Sequence, residues 1–386
     1  MTTIEIPALY MRGGTSKGVF LREDDIPSDV RARDRLLLRA MGSPDVFGTQ
    51  MDGMGGGTSS TSKVMVVSGD GDTQVNYSFG QVAIDRGLID WSGSCGNLAA
   101  AVGAFALWRG LVRVPESRAA HLLLVNRNNR SRVEAEIPVR DGKPLEEGEF
   151  ELDGVAFPAA EIRLAFLADE SDDAEPVFVA GSPVVVLDVP GVGEIPATLV
   201  RAGNPTVIVE AAALGLAGDE TQRQVNGNHA LLEQLERVRS HAAVRMGMAS
   251  TVEEACRERL HAPKIAWVAP AARLSNDDAQ LEAKPTIDLN VRTVSMGKLH
   301  HAITGTGAVA IAMAAAVPGT VVERVLGGRR TEICIGHASG VMRVGAEAVC
   351  RSGHWTVTKA VLSRSARRLM DGVLMVPMYV PAGGAA

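Results

Sequence analysis

Lys63 stands directly before Val64–Val67, a run of apolar residues typical of a strand that is buried on both faces. Burying an ammonium group costs free energy unless the group has a partner or a chemical task. A lysine beside a strand is most often a solvated edge residue, and that alternative stays open for Lys63 taken by itself. The preceding segment, 51–62, is rich in glycine and hydroxyl residues, and the amides of such a loop can bind an anion. Lys63 is therefore a candidate base beside an anionic substrate.

Cys95 is the second candidate for proton transfer, because it stands just before an apolar helix predicted from Leu98 to Leu107. The first turn of a helix presents unpaired N–H groups and a partial positive charge, and this field favours the thiolate form of a cysteine. The alternative is a small buried side chain, the usual fate of a lone cysteine. If both residues reach one cleft, desolvation and neighbouring cations lower the pKa of the lysine toward neutral pH. A thiol and an amine then suit removal of a proton at one carbon and delivery at another.

The residues predicted to hold a substrate surround these two candidates. Side-chain donors and helix amides of this kind bind carboxylates. The set drawn from the loops and helix starts is Arg12, Thr15, Ser16, Lys17, Ser62, Gly96, Asn97, Gly305 and Thr306. Lys17 is also a rival base, although its position between glycines favours anion binding. His300 and His301 have two interpretations, contact with the substrate or hydrogen bonds to backbone groups.

Two helices are predicted to be apolar all round, from Leu98 to Leu107 and from Ala308 to Val317. Such a helix must be enclosed in a soluble protein, and the many short strand-like runs make sheet the enclosing layer. The starts of the two helices lie a little over half the chain apart, which indicates one design used twice. The sequence predicts an α+β protein with two domains, 1–184 and 185–386, each a mostly antiparallel sheet around a central helix. The last strand is free to return to the first domain.

Other elements follow from periodicity and turn residues. Predicted strands are Val64–Val67, Leu122–Val125, Val133–Val139, Val184–Val189, Thr206–Val209, Ile265–Val268 and Thr356–Val361, and predicted helices are Ser28–Met41 and Asn228–Met246. The domain boundary is placed in the glycine- and proline-rich stretch 181–196. The acidic segment 169–175 just before it is predicted to be a solvated loop.

Composition excludes several function classes. The 386 residues are 46% hydrophobic and 22% charged, as in a globular protein with room for two cores, and the formal charge of −6 argues against a nucleic-acid surface. The longest apolar runs fall short of the roughly 20 residues that span a bilayer, so no membrane role is expected. Four cysteines without paired spacing, and an N-terminus without a signal-peptide pattern, favour a reducing cytoplasm.

Metal and nucleotide sites are not expected either. The histidines and carboxylates show no spacing that would place metal ligands on one helix face. The glycine-rich loops lack the Gly-Lys-Ser/Thr ending of a phosphate-binding loop, and no dinucleotide fingerprint follows a strand. The sequence therefore predicts neither a metal site nor a nucleotide site.

Five segments together resemble the PrpF family, over nearly the whole chain. They are Arg12–Gly18 (RGGTSKG), Gly55–Lys63 (ending SSTSK), Asp90–Asn97 (DWSGSCGN), Ser295–His301 (SMGKLHH) and Thr356–Arg367. This family comprises the 2-methylaconitate isomerases of the methylcitrate route of propionate breakdown. The resemblance implies a fold like that of diaminopimelate epimerase, no metal, no organic cofactor, and Lys63 and Cys95 as the catalytic residues. It also adds Ser295 and Met296 to the substrate-binding set.

The resemblance implies an allylic proton shift on an unsaturated tricarboxylate, most simply 2-methylaconitate. Lys63 is the expected initial base and Cys95 its partner, although the order in which they act stays open. Related activities on 4-oxalomesaconate or methylitaconate are alternatives. A two-base epimerase is disfavoured, because Thr304, which matches Cys95 at the second helix, is a poor acid or base.

The rival from another class is a non-catalytic accessory of a partner dehydratase that uses the same fold without turnover. The partner expected for an active enzyme is an iron–sulfur methylcitrate dehydratase, working as a functional pair with it. A homodimer is a further expectation, because edge strands and a modest net charge favour association.

Overall fold

A computed structural model describes residues 2–114, 117–168, 176–201, 204–271, 286–351 and 354–378. The strands are β1 (Thr2–Gly13), β2 (Ser16–Arg22), β3 (Lys63–Gly69), β4 (Gln74–Val82), β5 (Ile89–Asp90), β6 (Ala119–Asn126), β7 (Arg132–Arg140), β8 (Lys143–Pro144), β9 (Ile162–Leu167), β10 (Val185–Val189), β11 (Gly193–Val200), β12 (Thr206–Glu210), β13 (Lys264–Pro270), β14 (Leu289–Ser295), β15 (Lys298–Leu299), β16 (Glu332–His337), β17 (Gly340–Arg351), β18 (His354–Arg364) and β19 (Ala366–Met378). The helices are α1 (Val30–Met41), α2 (Gly96–Trp108), α3 (Gln222–Asn226), α4 (His229–Arg245), α5 (Val252–Glu258), α6 (Gly305–Ala315) and α7 (Val321–Leu326). Every predicted strand and helix is present, while segment 169–175 lies outside the described residues.

Helices α2 and α6 form the two centres of the fold. Every residue of α6 is buried, as is every residue of α2 before Trp108. Strands β1–β4, β6–β9 and β19 contact α2, whereas β11, β12 and β16–β18 contact α6. The predicted class, two similar halves that each enclose a helix in mostly antiparallel sheet, is confirmed.

Both helices begin earlier than their apolar runs, because polar side chains cap them. The Cys95 Sγ accepts a hydrogen bond from the Leu98 N–H at 3.4 Å. The Thr304 Oγ1 likewise accepts from the Gly307 N–H at 3.1 Å. Cys95 and Thr304 therefore occupy equivalent positions, and each leaves the first two amides of its helix without an acceptor inside the helix.

Strand pairing in the first half of the chain is repeated in the second. β2 is parallel to β3, β3 is antiparallel to β4, and β4 is antiparallel to β5 and parallel to β6. β12 to β16 show the same order of parallel and antiparallel pairings. In both sets the buried helix follows the short strand, α2 after β5 and α6 after β15. Thus β3 matches β13, and α2 matches α6.

Two ladders join these repeated arrangements. β19 lies antiparallel to β1, and β18 lies antiparallel to β9, so the last strand of the chain lies beside the first. The stretch 181–196, where the domain boundary was placed, contains β10 and its antiparallel turn into β11. The limits 1–184 and 185–386 stay predictions. Within the described ranges, no helix has the length and apolar composition needed to cross a bilayer.

Candidate active site

The N-terminal ends of α2 and α6 meet backbone to backbone. A Cβ added to Gly96 would lie 2.8 Å from the Thr306 nitrogen, and one added to Gly305 would lie 2.8 Å from the Gly96 carbonyl carbon. Only glycine permits this approach, because any side chain would force the two helices apart. The two partial positive charges therefore converge on one crevice, as the sequence predicted.

A cavity lies in this crevice and draws its walls from both halves of the molecule. The residues that line it are Ser16, Lys63, Ser94, Cys95, Gly96, Asn97, His261, Lys264, Ser295, His300, Thr304, Gly305 and Thr306. None of these residues is Asp or Glu. The volume open to the centre of a water molecule is about 10 Å³, which is room for about one water. An organic acid therefore enters only when the walls move apart.

Lys63 is the first residue of β3 and only 4% exposed. Its Nζ donates to the Ser59 carbonyl and, at 3.2 Å, to the Gln81 Oε1. Both acceptors are neutral, so neither compensates a positive charge fully. Burial lowers the pKa of Lys63, while negative charge at Cys95 acts in the opposite direction. Desolvation is thus the cause that lowers the pKa here, whereas the neighbouring cations expected from the sequence do not contribute.

The glycine-rich loop before Lys63 contacts this lysine and does not line the cavity. The Ser59 carbonyl accepts from Lys63, and the Gln81 Nε2 donates to the same carbonyl at 3.2 Å. The hydroxyls of Thr58 and Thr61 bond to each other at 2.8 Å. The loop thereby fixes the position of the amine, and none of its residues lines the cavity.

Asn97 is tied to a buried arginine that approaches from β18. The Arg364 Nε donates to the Asn97 Oδ1 at 2.9 Å, and the Asn97 Nδ2 donates to the Thr15 Oγ1 at 2.9 Å. Burial lowers the pKa of Arg364 to about 10, against the opposing effect of Cys95, so the guanidinium is charged at neutral pH. This network holds the first turn of α2 in place and puts a positive charge near the thiol.

Seven of the predicted substrate-binding residues lie in or against the cavity. Ser16, Gly96, Asn97, Ser295, Gly305 and Thr306 line it, and Thr15 contacts Asn97 behind it. Ser16 is buried, and its Oγ has no hydrogen-bond partner among the described residues. An unpartnered buried hydroxyl is available for a ligand oxygen. Both predicted catalytic residues, Lys63 and Cys95, line the same cavity.

Four other predicted residues do not line the cavity. The Arg12 Nη1 donates to the Gly14 and Ser365 carbonyls at 3.1 and 3.0 Å, which ties β1 to the link between β18 and β19. The Ser62 Oγ donates to the Val82 carbonyl at 3.0 Å. These donors are used within the protein, and the substrate contacts of both residues stay predictions.

Lys17 and Met296 are the other two. The Lys17 Nζ lies 5.5 Å from the centre of the Tyr10 ring. Met296 occupies the turn between β14 and β15 with a φ of 54°, which aligns the hairpin beside Ser295. Their substrate contacts stay predictions.

Lys264 and His261 are cavity residues that the sequence reasoning missed. Lys264 is only 2% exposed, and its Nζ lies 2.7 Å from the Ser295 Oγ and 3.0 Å from the His261 Nδ1. Burial, and secondly the charge of Lys63, lower the pKa of Lys264 well below its usual value. A signal was present, because Lys264 precedes the apolar run Ile265–Val268 just as Lys63 precedes Val64–Val67.

The histidine pair gives a mixed result. His300 is buried and lines the cavity, and its Nδ1 accepts from the Ala302 N–H at 3.1 Å. Burial, with the charge of His301 as the next cause, lowers the pKa of His300 well below its usual value. A neutral ring that accepts through Nδ1 carries its proton on Nε2. His300 therefore accepts a hydrogen bond from the backbone and still has one N–H to donate. Contact with the substrate and hydrogen bonding to the backbone both stay open as its role.

Within the residues that the structure describes, no three His, Cys, Asp or Glu side chains gather in a way that would hold a metal ion. The cavity instead combines two amines, one thiol, hydroxyls, imidazoles and the free amides of two helices. Such groups bind carboxylates and transfer protons.

Comparison with known proteins identifies the family. The model of the PrpF protein family matches residues 3–377. A protein of Shewanella oneidensis named 2-methyl-aconitate isomerase is 48% identical, and the alignment covers 97% of each chain. The crystal structure of a methylitaconate-delta-isomerase is 35% identical with a TM-score of 0.71, covering 97% of this chain and 96% of the other.

A hydroxyproline epimerase from Agrobacterium vitis shares the fold at 12% identity, with a TM-score of 0.55 and coverage of 97% of this chain and 93% of the epimerase. Its structure was determined with trans-4-hydroxy-L-proline bound. At this identity the similarity concerns the fold alone, and it agrees with the epimerase-like architecture expected above. The family model and the full-length relatives together show that this chain belongs to the PrpF family.

Proposed function

We propose that this isomerase acts on 2-methylaconitate by moving a proton within its allylic system. The observation that carries the proposal is the cavity, where buried Lys63 faces two helix N-termini among walls without a carboxylate. A tricarboxylate supplies the negative charges that such a site lacks. The 48% identical relative is named for the same substrate, whereas the methylitaconate-delta-isomerase is more distant, which makes methylitaconate the second candidate.

The reaction begins with removal of a proton. Neutral Lys63 takes a proton from a carbon that is activated by the double bond and a carboxylate, and the C–H electrons spread into a dienolate. The negative charge that develops on carboxylate oxygens is held by the free amides of Gly96 and Asn97 and of Gly305 and Thr306. These amides are available because Cys95 and Thr304 cap the following ones.

The reaction ends when a second group returns a proton to the dienolate. While the dienolate persists, the bond orders of the carbon skeleton are redistributed, so the double bond can change its geometry or its position. Cys95 is the residue that the sequence assigned to this second role. Its Sγ lies at the N-terminus of α2 and lines the same cavity as Lys63.

Proton NMR in deuterated water tests the proposal. Purified protein without added metal should convert one isomer of 2-methylaconitate and incorporate deuterium at the reacting carbon. Methylitaconate and 4-oxalomesaconate, offered in parallel, should turn over more slowly. Absence of exchange and conversion with all three acids would overturn the isomerase assignment and favour the accessory of a dehydratase.

The pH dependence of kcat/KM should show a rising limb as Lys63 loses its proton. Because burial lowers the pKa of this amine from its usual value of 10.5, the neutral base accumulates at lower pH than in a free lysine. The rate should therefore increase with pH and reach its plateau below pH 10.5. A rate that decreases steadily between about pH 6 and 9 would contradict a neutral amine as the base.

Replacement of Arg364 by methionine should weaken tricarboxylate binding by about 10- to 100-fold, from the loss of a charged hydrogen bond to Asn97. Isothermal titration with citrate as a non-reacting ligand measures the effect. The matched control is Arg367→Met, since Arg367 is exposed on neighbouring β19. Equal affinities of the two variants would remove Arg364 from the binding network.

We extend the proposal to the surroundings of the enzyme. A cytoplasmic location and a functional pairing with an iron–sulfur methylcitrate dehydratase are supported by the family resemblance. A homodimer is supported by apolar side chains exposed on β19, among them Leu369, Val373 and Met375. Light scattering of the purified protein measures the oligomeric state.

A further inference from the structure

A group of buried polar side chains near Cys95 is not used by the proposed reaction. It consists of the Ser94 Oγ, the Tyr77 hydroxyl, the Asn126 Nδ2 and the Ser131 Oγ, and none of these atoms has a hydrogen-bond partner among the described residues. Ser94, Tyr77 and Asn126 are each no more than 1% exposed. A buried polar atom without a partner costs free energy, so several of them in one place need an explanation.

Three segments of the first half bring these groups together. Tyr77 on β4 pairs directly with Asn126 on the parallel strand β6, so their side chains lie on the same face of the sheet. In the turn from β6 to β7, the Asn126 N–H donates to the Ser131 carbonyl at 2.9 Å, and the Asn128 Nδ2 donates to the Trp91 carbonyl. This turn therefore packs against the segment that leads from β5 into α2.

Tyr77 lies at the centre of the group. Burial raises the pKa of its hydroxyl, the Ser94 and Ser131 hydroxyls act in the opposite direction as hydrogen-bonding neighbours, and negative charge at Cys95 raises the pKa further. The two serines are thus close to the phenol oxygen, although neither forms a hydrogen bond of ordinary geometry with it. The phenol is neutral at neutral pH, so it can give up a proton only as it accepts another.

The two ends of the group face the cavity and the protein surface. Ser94 lines the cavity together with Cys95, and the cavity has room for about one water, which can contact both side chains. At the other end, Ser131 is half-buried and directly follows Asn129 and Arg130, which are exposed. A row of hydroxyls thus leads from the cavity to the turn between β6 and β7.

We propose that the hydroxyls of Ser131, Tyr77 and Ser94 form a proton path between solvent and the water in the cavity. This inference rests on the proposed function. After each turnover Lys63 is an ammonium and Cys95 a thiolate, so a proton must leave the first and enter the second. The cavity water accepts one proton and gives up another, and so does each hydroxyl of the path, so none of them changes its charge. The path keeps this water in exchange with solvent while the cavity is closed.

The origin of the proton that the thiol receives tests the inference. With the path intact, each molecule converted in deuterated water should carry about one deuterium, because the thiol is refilled from solvent. In Tyr77→Phe the path is interrupted, and the proton that Lys63 removed passes through the cavity water to the thiol and on to the next substrate. The deuterium content per conversion should then fall about tenfold or more, whereas kcat/KM should stay within about threefold of wild type.

Proton NMR for conversion and mass spectrometry for deuterium measure both quantities in one sample. A purely structural role of Tyr77 would lower kcat/KM and leave the deuterium content per conversion unchanged. The ratio of the two losses therefore separates a proton path from a packing effect.

Two further variants define the outcomes. Ser131→Ala removes the outer hydroxyl, which does not line the cavity, and it should lower the deuterium content as Tyr77→Phe does. Tyr10→Phe is the matched control, because the Tyr10 hydroxyl donates to the Met54 carbonyl at 3.2 Å and is not part of the path. Its loss should leave both quantities unchanged. Thermal denaturation checks folding, and Ser131→Ala carries the test if Tyr77→Phe does not fold.

Three results would overturn the inference. They are conversion by wild type without uptake of deuterium, an unchanged deuterium content in folded Tyr77→Phe or Ser131→Ala, and a loss of kcat/KM in these variants as large as the loss of deuterium. If wild-type protein converts none of the offered acids, the proposed function itself fails, and the inference falls with it.

Discussion

Lys63→Met should lower the turnover of 2-methylaconitate by about 10²- to 10⁴-fold, the usual contribution of a positioned general base. The substitution keeps the length and apolar stem of a side chain that is almost fully buried, so the protein should stay folded. It removes the amine that the Ser59 carbonyl and Gln81 hold at the cavity. Initial rates measured by NMR, with circular dichroism as the folding check, give the result.

Lys17→Met is the matched control for this prediction. Lys17 belongs to the same half of the molecule, but its amine lies over the Tyr10 ring and it does not line the cavity. Its replacement should change turnover by less than about tenfold, because it removes at most one anion contact. The reverse outcome, an inactive Lys17→Met beside an active Lys63→Met, would transfer the role of the base to Lys17.

Gly96→Ala should reduce turnover by about 100-fold or more, since a displacement near 1 Å at a reaction centre has an effect of this size. The new methyl group would lie 2.8 Å from the Thr306 nitrogen and 2.9 Å from the Gly305 carbonyl carbon. To relieve these contacts the N-terminal ends of α2 and α6 must separate. The free amides of the two helices then no longer point at the same substrate carboxylates. The free energy of unfolding should fall by about 1–3 kcal/mol, as in other overpacked sites.

Gly87→Ala provides the comparison for that measurement. A Cβ on Gly87 meets nothing within 4 Å, so this variant tests the loss of a glycine without the clash. Both its turnover and its thermal unfolding should match wild type closely. If Gly96→Ala behaves like Gly87→Ala, the contact between the two helix ends does not organise the site.

The sequence predicted those features that leave a local signal. The helices α2 and α6 were recognisable because they lack a polar face, and Cys95 because it precedes one of them. Lys63 was recognisable because a loop of glycines and hydroxyls precedes it. In each case neighbouring residues carry the information, so a short window of sequence is enough.

Residues whose partners come from distant segments were harder to predict. Lys264 has no such loop, and its contacts come from His261 and from Ser295 on another strand. Arg364, the last residue of β18, reaches Asn97 at the start of α2 across 267 residues of sequence, a contact that local patterns do not encode. For the same reason local patterns do not reveal that backbone carbonyls accept from Arg12 and Ser62.

The head-on contact of Gly96 with Gly305 also bears on conformational stability. Two dipoles that point their like poles at each other repel, and burial leaves little solvent to screen them. This repulsion destabilises the folded protein when no ligand is bound, and a bound polyanion offsets it. Ligand affinity and the free energy of unfolding are therefore thermodynamically linked. A multivalent anion in a storage buffer should compete with the substrate for the cavity and also stabilise the folded protein.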